Sequence, residues 1–167
     1  MLALTFGTQM KGLVGYVNVD GTMQEHQHTI TGFAFLIDRG AILWGLKKQE
    51  LIMLSTAKSE YIAAMHTTKE ALWLRQLIGE MFQPLSHPMT LYGNNQSAIV
   101  LTRDSSYHTR MKHIDICYHF IRFSVENGSI SFLYCPSTNM IADTLTKALP
   151  SIKAKHFAFE LGLHLSI

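Results

Sequence analysis

The segment Tyr107–His113, with the sequence YHTRMKH, mixes cationic side chains with an aromatic ring. Cations of this kind neutralise backbone phosphates and an aromatic ring can stack on a base, so the composition is typical of the edge of a nucleic-acid groove. We therefore assign Arg110, Lys112 and His113 as candidate nucleic-acid-binding residues. A solvated loop has the same composition, and the same two interpretations apply to the pair Lys47-Lys48.

Metal-binding side chains are present but do not have the spacing of a zinc site. None of the nine histidines forms an HxxxH or HExxH pair, and His26 and His28 lie only two residues apart in a polar segment. Zinc sites combine such pairs with cysteines, so the pattern argues against zinc. Cys117 and Cys135 form no CxxC pair, and we expect two reduced, buried thiols.

The bulk properties of the chain indicate a globular protein. Its 167 residues, 47% of them hydrophobic, predict a single domain over 1–167, with a core at about 12–150 and a C-terminal helix at about 152–163. No apolar run approaches the roughly 20 residues that cross a bilayer, so we expect no membrane partner and an intracellular protein, in the cytoplasm or the nucleus. The net charge of +2 is compatible with a nucleic-acid partner without requiring one.

Hydrophobic periodicity predicts alternating strands and helices. Apolar, β-branched runs predict strands at Gly12–Val19, Thr29–Asp38, Ala41–Leu46, Met89–Gly93 and Ile130–Tyr134, with a turn at Arg39-Gly40. Helical spacing predicts helices from Ser55 to about Pro84 (with Trp73 and Leu74 in the core), from Asn94 or Asn95 to Thr102, and at Ile114–Glu126, Ile141–Ala148 and Ile152–Leu161. The order βββαβαβα predicts an α/β fold, a mixed five-stranded sheet flanked by helices.

Five sequence blocks occur in a fixed order along the chain. They are GYVNVDG (Gly15–Gly21), LSTAKSEYIAAMHTTKE (Leu54–Glu70), LYGNNQSAI (Leu91–Ile99), RMKHIDICYHFIR (Arg110–Arg122) and IADTLTKALP (Ile141–Pro150). In this order and spacing they resemble the ribonuclease H domain of copia-type retrotransposon Pol polyproteins. No block identifies the family alone, and the identification depends on all five together.

The resemblance implies a ribonuclease H-like fold and a specific reaction, hydrolysis of the RNA strand of an RNA–DNA hybrid. In the family, four carboxylates hold two Mg²⁺ (or Mn²⁺) ions, one of which activates water while the other stabilises the leaving oxygen. The matching positions here are Asn18, Glu60, Asn94 and Asp143, so two of the four are uncharged amides. The formal charge of the site falls from −4 to −2, and we expect two-metal binding to be lost at millimolar Mg²⁺.

Glu60 and Asp143 remain as candidate metal ligands, and Asp20 is a weak further candidate. Asp20 lies two residues after Asn18 and so on the same face of the strand, but displaced along it by roughly 6–7 Å. Metal–oxygen bonds near 2.1 Å tolerate little displacement, which argues against rescue by Asp20.

Three functions are compatible with these residues. The first is a degenerate ribonuclease H domain, inactive or strongly impaired; the second is an active hydrolase that uses Glu60, Asp143 and Asp20; the third is a catalytically silent nucleic-acid-binding module. The expected partners are an RNA–DNA hybrid or other nucleic acid and, originally, the other domains of a Pol polyprotein. Because Met1 stands only a few residues before the first predicted strand, we expect a fragment of a larger polyprotein gene.

Overall fold

A computed structural model describes residues 2–4, 12–20, 29–49, 56–102 and 112–165. In chain order the strands are β1 (Leu2–Leu4), β2 (Leu13–Asp20), β3 (Ile30–Ile37), β4 (Gly40–Lys48), β5 (Met89–Gly93), β6 (Ile130–Tyr134) and β7 (Leu163–Leu165). The helices are α1 (Thr56–Met81), α2 (Gln96–Leu101), α3 (Lys112–Glu126), α4 (Asp143–Thr146) and α5 (Ser151–Glu160).

The central sheet has five strands in the order β4-β3-β2-β5-β6. Strands β2, β3 and β4 pair antiparallel, whereas β5 pairs parallel to both β2 and β6. The predicted α/β class and mixed five-stranded sheet are therefore confirmed. Because β2 and β5 are parallel neighbours, their carboxyl ends meet at one edge of the sheet.

The two faces of the sheet are covered by different helices. Successive residues of a strand point to opposite faces, so Val17 and Val19 of β2 pack against Ala63 of α1. The opposite face carries Ala34 and Leu36 of β3, which pack against Phe157 of α5. Tyr16 packs against this second cluster. Asn18 stands two residues after Tyr16, so its side chain points to the same face of the sheet.

Helix α1 provides most of the helical contribution to the larger core. Tyr61, Ala71, Leu74 and Ile78 are buried against the sheet and against α3. The prediction that Trp73 is also a core residue is wrong, because its side chain is 54% exposed. Adjacent helical residues are about 100° apart, so only one of the pair can face the sheet.

Several predicted boundaries shift by one or more residues. The hairpin turn between β3 and β4 lies at Asp38 and Arg39, both with positive φ (47° and 68°), while Gly40 already belongs to β4. Two consecutive positive φ values are the geometry of a two-residue hairpin turn whose twist matches the flanking strands. Helix α3 begins at Lys112 rather than Ile114. Ser55, predicted as the first helix cap, lies outside the described residues.

The C-terminal region differs more from the prediction. Helix α4 has only four residues, not the span Ile141–Ala148, and α5 ends at Glu160. The chain then forms β7, which pairs antiparallel with β1 in a separate two-stranded sheet that the hydrophobic pattern did not predict. Cys135 is buried as expected, whereas Cys117 is only half-buried; both are free thiols. Among the described residues, no helix has both the length and the hydropathy to cross a bilayer.

Candidate active site

Two of the four predicted site residues follow from strand geometry. Asn18 stands near the carboxyl end of β2, and Asn94 comes directly after β5. The register of the parallel pair places Val17 opposite Gly93, so Asn18 and Asn94 are direct neighbours across the edge of the sheet. Asn95, the next residue, caps α2 by accepting a hydrogen bond of 3.0 Å from the backbone N–H of Ala98. Asn94 is thereby left to face the site.

The two asparagine side chains form a hydrogen-bonded pair. Asn94 Nδ2 donates to Asn18 Oδ1 at 2.8 Å, and Asn18 Nδ2 donates in turn to Thr146 Oγ1 of α4 at 2.9 Å. Asn18 is only 1% exposed, and all of its amide contacts are therefore to protein. The pair joins three elements, β2, the turn after β5 and α4.

Gly32 of β3 makes the contact between Asn18 and α4 sterically feasible. Gly32 lies directly opposite Asn18 in the antiparallel register. A Cβ at Gly32 would stand 2.5 Å from Thr146 Cγ2 and 3.3 Å from the carbonyl oxygen of Ala142. The absence of a side chain lets α4 approach the sheet closely enough for Thr146 to reach Asn18.

Asp143, the first residue of α4, is fully buried and is neutralised by lysine. Lys147 Nζ lies 2.9 Å from Asp143 Oδ2, and Lys153 Nζ lies 3.7 Å from the same oxygen. Neither Asp143 oxygen accepts a hydrogen bond from the described part of the chain, so the contacts of Oδ2 with the two lysines are ion pairs. A buried carboxylate requires such a counter-charge, since its transfer from water is otherwise strongly unfavourable.

Glu60 of α1 has a strongly perturbed carboxyl group. Burial raises its pKa, and the negative charge of Asp143 raises it further; Lys147 opposes both effects, and the pKa reaches about 8. Glu60 is therefore mostly protonated at pH 7. It lines an open depression of about 520 Å³ together with five polar or aromatic neighbours, which are Asn94, Asn95, Gln96, Ser97 and Tyr134.

The side-chain oxygens at this edge of the sheet do not fit a pair of divalent cations as ligands. Two Mg²⁺ ions carry four positive charges and require several anionic oxygens. Here Asp143 is already paired with Lys147, Glu60 is protonated at neutral pH, and Asn18 Oδ1 already accepts a hydrogen bond. In the described part of the chain, Asn94 Oδ1 accepts no hydrogen bond and is uncharged, and the two Asp143 oxygens accept none either, although Oδ2 is ion-paired with Lys147. Within the described ranges, no group of three or more His, Cys, Asp or Glu side chains could hold a metal ion.

The structure describes the remaining predicted site residues only in part. Asp20 is the last residue of β2, but its side chain lies outside the described part of the structure, and so does all of Arg110. Lys112 and His113 form the first turn of α3, where their side chains are likewise not described. Their role in nucleic-acid binding stays a prediction. His26 and His28, for which the sequence argues against zinc binding, also lie outside the described residues.

Lys47 and Lys48 have different surroundings. Both side chains are exposed near the end of β4, and Lys47 Nζ lies 3.2 Å from His66 Nδ1. A contact of either lysine with a phosphate stays a prediction.

Three residues that contribute to the site were not predicted from the sequence. Thr146 and Lys147 belong to the block that contains Asp143, and their offsets of three and four residues could have indicated contact on one helical turn. Lys153 gives no such signal, since its ion pair with Asp143 depends on how α5 packs.

Comparison with curated proteins finds relatives among transposon polyproteins. The chain is 37% identical over 162 residues to the retrovirus-related Pol polyprotein from transposon TNT 1-94 of Nicotiana tabacum, a match that covers 96% of this chain and 12% of the relative. It is 32% identical over 152 residues to the Pol polyprotein from transposon RE1 of Arabidopsis thaliana, covering 90% of this chain and 10% of the relative. No family model matches the chain.

Comparison with solved structures finds ribonuclease H folds. RNase H1 from the halophilic archaeon Halobacterium salinarum NRC-1 superposes with a TM-score of 0.52 at 12% identity, covering 75% of this chain and 86% of that one. The N-terminal RNase H domain of a Mycobacterium tuberculosis protein, solved as a fusion with maltose-binding protein, gives 0.59 at 9% identity, covering 89% and 96%. The chain thus has the ribonuclease H fold and is homologous to a segment, about a tenth of the full length, of the retrovirus-related Pol polyproteins of copia-type transposons.

Proposed function

We propose that this chain is a degenerate ribonuclease H domain, in which two-metal cleavage of the RNA strand of an RNA–DNA hybrid has been lost. The hydrogen bond between Asn94 and Asn18 carries this proposal. It occupies the position where the resemblance places two aspartates, and it replaces two metal-binding charges by a neutral contact. The ribonuclease H fold and the homology to Pol polyproteins support hybrid cleavage as the proposed ancestral reaction.

The loss of charge explains the proposed loss of catalysis. Hydrolysis of a phosphodiester by this route requires an activated water and a stabilised leaving oxygen, and both depend on divalent cations held by carboxylates. Glu60, with its pKa raised to about 8, is mostly protonated at pH 7, and the Asp143 carboxylate is ion-paired with Lys147. Nothing in the remaining arrangement concentrates negative charge enough to recruit two dications.

The alternative of an active hydrolase is less well supported. It requires Glu60 and Asp143 to bind metal with help from Asp20. Glu60 would first have to lose its proton, because its pKa is raised to about 8, and Asp143 would have to exchange Lys147 for the metal. Each step opposes metal binding at neutral pH.

A silent nucleic-acid-binding module remains a second candidate function. The depression beside Glu60 is open and polar, with Gln96 and Ser97 on its rim and Tyr134 at its border. Such a surface can contact a sugar–phosphate backbone without metal ions. Together with Arg110, Lys112 and His113, it supports a role in which hybrid is bound but not cut.

Cleavage of a labelled RNA–DNA hybrid in Mg²⁺ and in Mn²⁺ tests the proposal. We expect no cleavage by the natural chain, and cleavage by the double variant Asn18→Asp/Asn94→Asp. Asn95→Asp is the control: it adds one carboxylate at the residue after Asn94 and keeps a competent helix cap, so it should remain silent. Turnover by the natural chain at an ordinary enzymatic rate would refute the proposal.

Binding is measured separately from cleavage. A gel shift with the same hybrid at two salt concentrations distinguishes the silent binding module, because contacts to backbone phosphates weaken steeply as salt rises. Binding that disappears at the higher salt concentration supports the second function, and absence of binding at both concentrations rejects it.

A further inference from the structure

Strand β4 forms one edge of the central sheet. It pairs antiparallel with β3, and among the described residues it has no second strand beside it. The strand stands between the first two sequence blocks and so outside the segments that carry the family resemblance. An open edge strand presents backbone N–H and C=O groups with which another strand can pair.

The hydrogen-bond pattern of β4 shows which residues direct their backbone towards that edge. Gln49 N donates to the carbonyl oxygen of Thr29 at 2.8 Å, one position beyond the register pair Lys48 and Ile30. Residues that lie directly opposite each other in an antiparallel ladder alternate between hydrogen-bonded and non-hydrogen-bonded pairs. The odd-numbered residues at the end of β4 therefore bond to β3, and the even-numbered ones direct their N–H and C=O outwards. The outward-facing residues are Trp44, Leu46 and Lys48.

The open part of the edge is bounded at both ends. At its start Ala41 N donates to the carbonyl oxygen of Leu161 at 3.0 Å, and the register shift makes Ile42 a bulge residue without a partner on β3. At its end stand Lys47 and Lys48, whose side chains are exposed. Bulges and lysines are devices that limit pairing along an exposed edge. The stretch between them has neither device.

Two large apolar side chains lie on this open stretch. Trp44 and Leu46 are each 58% exposed. They stand opposite Ala34 and Gly32 of β3, which face α5 and α4, so both side chains point to that face of the sheet. The described helices leave more than half of each side chain uncovered. Outward backbone groups and an apolar strip thus coincide in the same residues.

The strip is complementary to a second copy of itself. When two β4 strands pair antiparallel about a twofold axis at Gly45, Trp44 of each chain lies opposite Leu46 of the other. Both residues direct their backbone outwards, so each of these pairs exchanges two hydrogen bonds. The Lys47 side chains of the two copies are then separated by about four residues along the strands, roughly 13 Å, which exceeds the Debye length at physiological salt.

We propose that β4 pairs antiparallel with β4 of a second copy of this chain, which joins the two central sheets into one continuous sheet. An unrelated strand could satisfy the backbone groups, whereas a second copy also covers both apolar side chains and keeps the lysines apart. One strand from each chain makes a small interface, so we expect a weak dimer with a Kd of about 10–100 μM. The inference goes beyond the proposed function, since it concerns the association of chains and not cleavage.

Amide hydrogen exchange of the natural chain, recorded residue by residue by NMR, tests the pairing. Between about 20 μM and about 1 mM protein, exchange at Trp44 and Leu46 should slow about threefold or more, because the fraction of free monomer falls by that factor. The amides of Leu43, Gly45 and Lys47 already bond to β3 and should be protected at both concentrations. Exchange at Trp44 and Leu46 that is equally fast at both concentrations overturns the proposal. Equally slow exchange means that the edge is covered within one chain, and it overturns the proposal as well.

Sedimentation equilibrium of matched variants tests the side chains. Leu46→Lys removes an apolar contact and places two ammonium groups about 7 Å apart along the paired strands, so the Kd should rise about tenfold or more. Trp73→Lys is the control, because Trp73 is 54% exposed on α1 and is not part of the edge; the Kd should stay within about twofold. Both variants should keep the circular-dichroism spectrum of the natural chain.

The remaining outcomes are also decisive. A natural chain that is monomeric up to about 1 mM overturns the proposal, as does a dimer that Trp73→Lys weakens as much as Leu46→Lys. If Leu46→Lys does not fold, the alternating exchange pattern of the natural chain decides alone. These measurements contain neither nucleic acid nor metal, so their outcome is independent of the hybrid-cleavage test.

Discussion

Replacing both Asn18 and Asn94 by aspartate should lower the free energy of unfolding in the absence of metal. The decrease should exceed the sum of the decreases caused by the two single replacements. Asn94 Nδ2 and Asn18 Oδ1 are 2.8 Å apart, so carboxylates at both positions would have charge centres within about 4 Å. At an effective dielectric constant of about 20, two unit charges at that distance repel by about 4 kcal/mol. The repulsion is absent from each single variant.

The single variants keep a favourable contact. In Asn18→Asp the new carboxylate still accepts from Asn94 Nδ2, and the hydroxyl of Thr146 can turn to donate instead of accept. In Asn94→Asp the amide of Asn18 can donate to the new carboxylate. Each single variant therefore loses much less stability than the double variant. The loss in the double variant beyond the sum of the two single losses is the coupling free energy of the pair.

Urea unfolding of the natural chain, both single variants and the double variant completes a double-mutant cycle. In EDTA we expect a destabilising coupling of about 2–4 kcal/mol, equivalent to roughly 4–16 °C in melting temperature for a chain of this size. In about 10 mM MgCl₂ the coupling should shrink or change sign, because the two carboxylates then share bound cations. Additive effects in EDTA, or a coupling that Mg²⁺ leaves unchanged, would refute this account of the pair.

Three further predictions concern single positions. The pKa of Glu60 rises from 4.5 to about 8 on folding, so its contribution to stability is complete below pH 4.5 and is lost as pH rises through 8. When the free energy of unfolding is measured with urea at each pH, Glu60→Gln should remove this pH dependence. Gly32→Ala should cost about 1–3 kcal/mol through its clash with Thr146, whereas the control Gly79→Ala, with no atom closer than 3.6 Å, should stabilise α1 by about 0.4–1 kcal/mol. Asn95→Ala should cost about 1 kcal/mol by removing the cap of α2, measured in the same way.

The sheet was predictable because its signal is local and repeated. Five short apolar runs with alternating burial, separated by turn residues, specify the five strands of the central sheet. The small sheet of β1 and β7 was not predictable, since it joins two three-residue strands from opposite ends of the chain. A strand of three residues carries too little pattern, and its pairing depends on where the rest of the fold brings the two ends.

The residues of the candidate site could be proposed from the sequence, but the contacts between these residues could not. The sequence blocks located Asn18 and Asn94, whereas the hydrogen bond between them follows from the parallel register that places Val17 opposite Gly93. The absence of a side chain at Gly32 and the termination of α4 at Thr146 then decide which groups reach these residues. Such details depend on strand register and helix length to within one residue, which is finer than periodicity resolves.

Under the proposed function, the two asparagines account for the loss of catalysis and also remove a source of instability. A site of four carboxylates is stable only with its cations bound, since like charges in a partly buried cluster repel. The amide pair eliminates the closest of these repulsions, and Lys147 neutralises Asp143. The pKa of Glu60 is about 8, so at neutral pH its carboxyl group is mostly protonated and is not repelled by the other carboxylates. Under the proposed function, protein contacts and protonation compensate all four candidate positions, so we expect a variant with aspartate at positions 18 and 94 to depend on metal for its stability.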